Sequence, residues 1–101
     1  MNIKKAEENG KVILELDGWL DTLGAPELGA EVEKIQEASE LVLDFDKVEY
    51  IASSGVRQVV VCHRKAKELN ASFSIINVCS EIMNIFNMTG IDKKINICEK
   101  G

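Results

Sequence analysis

Histidine occurs once in this chain, proline once and cysteine three times, and each scarcity removes a class of function. His63 has no Cys/His cluster around it, so no zinc site is signalled, because such centres are built from several ligands at set spacings. Cys62, Cys79 and Cys98 are odd in number and lack CxxC spacing. They encode no disulfide framework, and all three are expected as reduced core thiols. Pro26 is the only proline, and no low-complexity tract, repeat or Pro-rich linker divides the chain; a single domain over residues 1–101 is expected. No apolar run approaches the length that crosses a bilayer, and the opening "MNIKKAEENGK" lacks the apolar stretch of a secretory signal. The protein is therefore expected in the cytoplasm, without membrane insertion.

Basic residues are also in deficit, 12 Lys and Arg against 17 Asp and Glu, for a formal net charge of -5. They are scattered, apart from a local cluster at Arg57, Arg64, Lys65 and Lys67. Nucleic acid is excluded as a partner, since phosphate neutralisation needs a concentrated positive surface. What the chain does contain is 46% hydrophobic residues, enough to fill a core and unlike a disordered composition.

Those apolar residues are periodic. "NIKKAE", "ENGK" and "VILELDG" predict two strands around a turn, with Asn9-Gly10 supplying the positive φ angles of a tight hairpin. Pro26 suits a first-turn helix position, and Leu28, Val32 and Ile35 recur at helical spacing, predicting a helix that ends near Ser39. "LVLDF" reads as a short buried strand. From Ser54 to Leu69, the residues Val56, Val59, Val60, His63, Ala66 and Leu69 follow one helix face, with Asn70 as a left-handed stop. "SFSIINV" predicts a strand, and "SEIMNIFNM" a short helix capped by Ser80, cored by Phe86 and Met88 and ended by Thr89-Gly90; "KINIC" predicts a last strand. The order ββαβαβαβ predicts a small α/β fold: a mixed, mostly parallel sheet of four to five strands with helices packed mainly on one face.

The two serines of "YIASSG" fall where a strand ends and a helix begins, which makes Ser53 a candidate N-cap. A serine hydrolase needs a base within hydrogen-bond reach of its nucleophile. His63 lies ten residues along the same helix, roughly 15 Å away at ~1.5 Å per residue, and cannot activate either serine. No GxxxxGK[ST] phosphate cradle is present. Asp44 and Asp46 share a strand face but have no metal-ligand companions. No catalytic residue, cofactor or metal is expected. A serine at a helix N-terminus can instead accept a phosphoryl group, which the free amides and helix dipole stabilise while the surface charge changes sharply.

Four segments, in order, resemble the STAS family, specifically its small single-domain anti-sigma-factor antagonists. "LDGWLD" is similar to the family's G-x-L-D element through Gly18, Leu20 and Asp21. "LVLDFDKVEYIASSGV" is similar to its strand and phosphorylation loop, with Asp44, Ser53, Ser54 and Gly55 in register. "NASFSIINV" resembles the next strand, and "IFNMTGIDKKINI" the family's L-F-x-x-T-G-L ending through Phe86, Thr89, Gly90 and Ile91. The resemblance implies binding to an anti-sigma factor, usually a serine kinase, with release of a sigma factor. Phosphorylation of the first loop serine, here Ser53 with Ser54 as second choice, would abolish that binding, and a serine phosphatase would restore it. Asp21 is expected beside the serine, and Asp21, Ser53, Ser54, Gly55, Val56 and Trp19 are the expected partner contacts. Trp19 has two readings, packing on the first helix or standing exposed as a partner anchor. One residue departs from the pattern: the Asp that precedes the family's serine is Ala52 here. That departure keeps open an alternative, a non-phosphorylated STAS accessory subunit of a lipid or organic-solvent ABC transporter. A monomer with transient complexes is expected.

Overall fold

In the computed structural model, which describes residues 1–101, Asn9 and Gly10 both take positive φ, 50° and 85°. They close an antiparallel hairpin between β1 (Asn2–Glu8) and β2 (Lys11–Leu20). The chain continues through α1 (Gly24–Glu33), β3 (Glu40–Ile51), α2 (Ser53–Glu68), β4 (Ser72–Val78), α3 (Ser80–Thr89), a 3-10 turn (Ile91–Lys93) and β5 (Asn96–Glu99). The strands lie in the order β1-β2-β3-β4-β5, and every pairing after the hairpin is parallel. The single α/β domain and the element order are as predicted.

Strand alternation decides which face is covered. Val12, Leu14 and Leu16 of β2, Leu41, Leu43 and Phe45 of β3, and Phe73 and Ile75 of β4 form one apolar cluster with residues of all three helices, among them Leu28, Val32, Val59, Cys62, Ala66, Ile82 and Phe86. Phe45 and Phe86 face each other with ring centroids 6.0 Å apart, which seats α3 on the sheet. The opposite face holds Asn2, Lys4, Glu15, Asp17, Asp44, Asp46 and Lys47 around a depression of about 400 Å³. The parallel strands add in one direction, from β2 to β5, and crossovers of one hand then place every helix on the same face.

Several elements differ from their sequence-based expectation. α1 ends at Glu33 rather than near Ser39. Ile35 is still buried, but from the connection that returns the chain to Gly10, where the Ser39 amide donates to the Gly10 carbonyl at 2.8 Å. β3 runs to Ile51, far beyond "LVLDF", because its second half pairs with Asp17–Leu20 of β2 alone and so tolerates exposed polar side chains. Val60 is 39% exposed and does not hold α2 to the sheet; Cys62, three residues on from Val59, takes that place. Met88 is 86% exposed because it lies across α3 from Ile82 and Phe86. Of the three free cysteines only Cys62 is in the core; Cys79 is partly buried and Cys98 exposed.

Both expected serine caps are corrected by one residue. Ala52 and Cys79 occupy the N-cap positions in extended conformation, with Ser53 and Ser80 already helical and no side-chain cap bond at either. Each helix starts where its preceding strand ends, so the register is set by the sheet rather than by the hydroxyl. At the other ends, Asn70 (φ 58°) follows α2 and Gly90 (φ 77°) follows α3 in the left-handed conformation, as predicted.

Candidate partner-binding site

The carboxyl ends of β2 and β3 lie side by side, with Leu20 paired to Ile51. From there the chain turns directly into two helices. The Ala52 amide donates to the Leu20 carbonyl at 3.0 Å, and the Ala52 carbonyl accepts from the Gly55 and Val56 amides at 2.9 and 3.0 Å. That fixes Ser53 as the first residue of α2.

Two glycines let both helix starts press onto the same strand end. A Cβ on Gly55 would lie 2.2 Å from the Leu20 carbonyl oxygen, and one on Gly24 would lie 2.3 Å from the Trp19 carbonyl oxygen. Neither space admits a side chain. Gly55 is buried; what it contributes to the surface is the position of its neighbours. Val56 is half-buried and packs against the core cluster, so a charge there would cost stability as well as any contact.

Asp21 organises the neighbouring loop. Its Oδ1 accepts from the Gly24 amide at 2.9 Å and the Leu23 amide at 3.1 Å, and the Asp21 carbonyl accepts from Ala25 at 2.8 Å. The carboxylate thus caps the start of α1. The Gly24 hydrogen bond above all, against an opposing desolvation effect and aided by Leu23, holds its carboxyl below the ordinary 3.8.

The serines are not equivalent. Ser53 is exposed, whereas Ser54 Oγ is shielded and has no hydrogen-bond partner in the chain. Ser54 borders a shallow groove of about 230 Å³ between the starts of α1 and α2, lined also by Thr22, Ala25, Pro26, Arg57, Gln58 and Val61. Trp19 is 57% exposed and packs against Tyr50, itself 49% exposed, with ring centroids 5.5 Å apart. It does not pack into the core under α1. The aromatic pair was not legible as a pair, although Trp19 and Tyr50 each stand one residue before the last residue of their strand. Asp44 and Asp46 serve the backbone: Asp44 Oδ1 accepts from the Asp46 amide and from Asn77 Nδ2, both at 3.0 Å, and Asp46 pairs with Lys100 at 3.2 Å. The asparagine that Asp44 holds, Asn77, takes a φ of 58° near the end of β4, where the β4–β5 register shifts.

Two further groups of α2 have shifted acidities. Burial pushes the Cys62 thiol up to about 12. Loss of solvent, and secondarily the charge of Lys67, holds His63 below its ordinary 6.5; its ring lies 5.6 Å from that of Phe73.

These features define a small α/β domain that presents an exposed serine at the head of a long helix, beside an Asp-capped loop and an aromatic pair. The chain belongs to the STAS domain family, whose profile matches residues 2–100. It is 23% identical over 92 residues to BtrV of Bordetella bronchiseptica, a protein named among anti-sigma factor antagonists, with 89% of this chain and 79% of that one covered. Among solved structures, an anti-sigma factor antagonist from Mycobacterium paratuberculosis superposes with a TM-score of 0.86 at 19% identity, over 96% of this chain and 84% of the other. The phosphorylated form of the Bacillus cell fate determinant SpoIIAA superposes with a TM-score of 0.74 at 16% identity, over 95% and 90%.

Proposed function

We propose that this chain is an anti-sigma factor antagonist. It binds an anti-sigma factor of the serine-kinase type in the cytoplasm and frees a sigma factor, and phosphorylation of Ser53 switches it off until a serine phosphatase removes the phosphate. The observation that carries the reading is the placement of Ser53, exposed as the first residue of a 16-residue helix, while the Ser54 hydroxyl is shielded. A kinase can reach one hydroxyl and not the other. The helix N-terminus offsets part of a phosphate's charge, so the fold tolerates it. A partner arranged around a neutral hydroxyl would instead bury a dianion, at a cost of several kcal/mol, enough for more than a hundredfold loss of affinity. The BtrV likeness and the resemblance of the loop to the family's phosphorylation motif support the same role.

Incubation with the kinase-type anti-sigma factor of the same cells and ATP, followed by mass spectrometry, tests it. Phosphate on Ser53 is expected, with Ser53→Asp binding poorly and Ser53→Ala binding constitutively. Phosphate on Ser54 alone moves the switch by one residue, and phosphate on neither removes it. Ala52, where the family has an acidic residue, favours a second reading in which the loop docks without phosphorylation on the ATPase subunit of an ABC transporter. Recovery of such an ATPase and no anti-sigma factor in a pull-down would select that reading.

A further inference from the structure

The inner stripe of α2 is complete: Gly55, Val59, Cys62 and Ala66 are buried against the sheet. On the opposite side of the helix Ser53, Arg57, Val60, Val61, Arg64 and Lys67 are all exposed, within one face by the 100° step of the helix. Val60 and Val61 are 39% and 38% exposed. As β-branched residues they are mediocre helix formers, and in this position they contribute nothing to the core. They are bracketed by Arg57 and Arg64, one turn to either side.

Neither arginine takes part in any of the four ion pairs of the chain. Charge is also distributed unevenly. α2 carries four of the twelve basic residues, Arg57, Arg64, Lys65 and Lys67, and one of the seventeen acidic ones, Glu68. Of the three helices only α2 carries more basic than acidic residues, so its outward side is a basic strip on a chain of net charge -5.

We infer that the outward face of α2 is the docking surface for an acidic patch on the anti-sigma partner, with Val60 and Val61 as its apolar centre and Arg57 and Arg64 as its cationic rim. The inference rests on the reading above. An apolar centre within a charged rim is the ordinary anatomy of a protein interface, where arginine is enriched. A second copy of the chain fits less well, because a two-fold contact would set Arg57 and Arg64 against themselves. The same face connects docking to the switch. Ser53 and Arg57 are separated by four residues and so are neighbours on the helix surface. A phosphate on Ser53 offsets the Arg57 charge and faces the acidic patch directly, turning attraction into repulsion.

Titration calorimetry with the purified kinase-type anti-sigma factor, at low and high salt, decides the matter. Arg57→Glu and Arg64→Glu should each weaken binding by about tenfold or more and flatten its salt dependence. Lys93→Glu, an exposed charge outside α2, should leave it within about twofold, and all three variants should keep the wild-type melting temperature. If the partner binds wild type, is blocked by Ser53→Asp, and still binds both arginine variants normally, the docking face is refuted while the proposed function stands. If no anti-sigma factor binds wild type, both fall. If the arginine variants abolish only self-association or binding to phosphatidylglycerol vesicles, the face belongs to another occupant and the inference is overturned.

Discussion

Gly55→Ala sets two effects of opposite sign against each other. Helix propensity alone favours alanine by about 1 kcal/mol in a helix interior. The tertiary contact opposes it, because the new Cβ would lie 2.2 Å from the Leu20 carbonyl oxygen and 2.8 Å from Ile51 Cγ1. That carbonyl already accepts the Ala52 amide at 3.0 Å and cannot swing aside without breaking the junction. The start of α2 must therefore retreat by about 1 Å to reach an ordinary carbon–oxygen separation, drawing Val59 partly out of the core. Overpacking of this kind costs about 1–3 kcal/mol. Because the nearest atom is backbone and cannot give way, the cost lies at the upper end of that range; after the propensity gain a net loss of about 2 kcal/mol remains, or roughly 8–16 °C in melting temperature for a domain of this size. Thermal and urea unfolding measure it, with Gly29→Ala alongside. Gly29 also lies in a helix, but its Cβ would meet only the Gln58 side-chain amide at 3.0–3.2 Å, which can rotate away, so that variant should be neutral or more stable by up to about 1 kcal/mol. A Gly55→Ala protein that melts at or above wild type would refute the close-approach argument.

Four further outcomes are expected. His63 has a lowered folded pKa, so below its unfolded value of 6.5 the unfolded chain takes up a proton that the native one resists; stability should fall as pH drops from there towards the folded pKa, and urea titrations of His63→Gln across that window should show the slope reduced. Asp21 has the depressed-carboxylate sign: its contribution is complete above 3.8 and is lost as pH falls through the lower folded value, so Asp21→Ala should melt lower at neutral pH and differ less from wild type in acid. A thiol reagent should label exposed Cys98 at once, Cys79 more slowly and Cys62 only on unfolding, since that thiol is buried and its pKa is raised to about 12. Phe86→Ala should cost about 3–5 kcal/mol through loss of its contact with Phe45, whereas Met88→Ala should change stability by less than about 0.5 kcal/mol, as expected of a surface position.

Much of this architecture is written in local chemistry. Asn9-Gly10, Asn70 and Gly90 each mark a position where only a left-handed residue can end one element and begin another, and all three lie where their residue types indicate. "SFSIINV" coincides with β4 because a strand buried between neighbours must be apolar on its inward positions. The placement of the serine pair was legible to the same degree, because a strand followed directly by an amphipathic run leaves the residues between them at a helix head.

The errors have a common physical origin. Met88 and Val60 are apolar and lie within periodic runs, yet each stands away from the residues by which its helix is buried. Nothing in the spacing of "VRQVVVCHR" distinguishes Val60 from Cys62 as the residue that turns inward. Ser53 and Ser80 have the chemistry of N-caps, but each preceding strand turns into its helix one residue too early for either to serve.

By itself the sequence determined the element order, the turn positions, the parallel α/β class and the placement of Ser53 at a helix start, because each follows from periods of 2 and 3.6 and from backbone preferences that neighbouring residues impose on one another. Only the tertiary structure decided that Ser53 is open while Ser54 is shielded, that Trp19 meets Tyr50, that Gly55 lies against Leu20 and that Val60 and Val61 face solvent between two unpaired arginines. Those facts depend on how separately formed elements approach in space, and that approach is fixed by parallel strand register and by the volume left at one carbonyl, neither of which any local stretch of the chain contains.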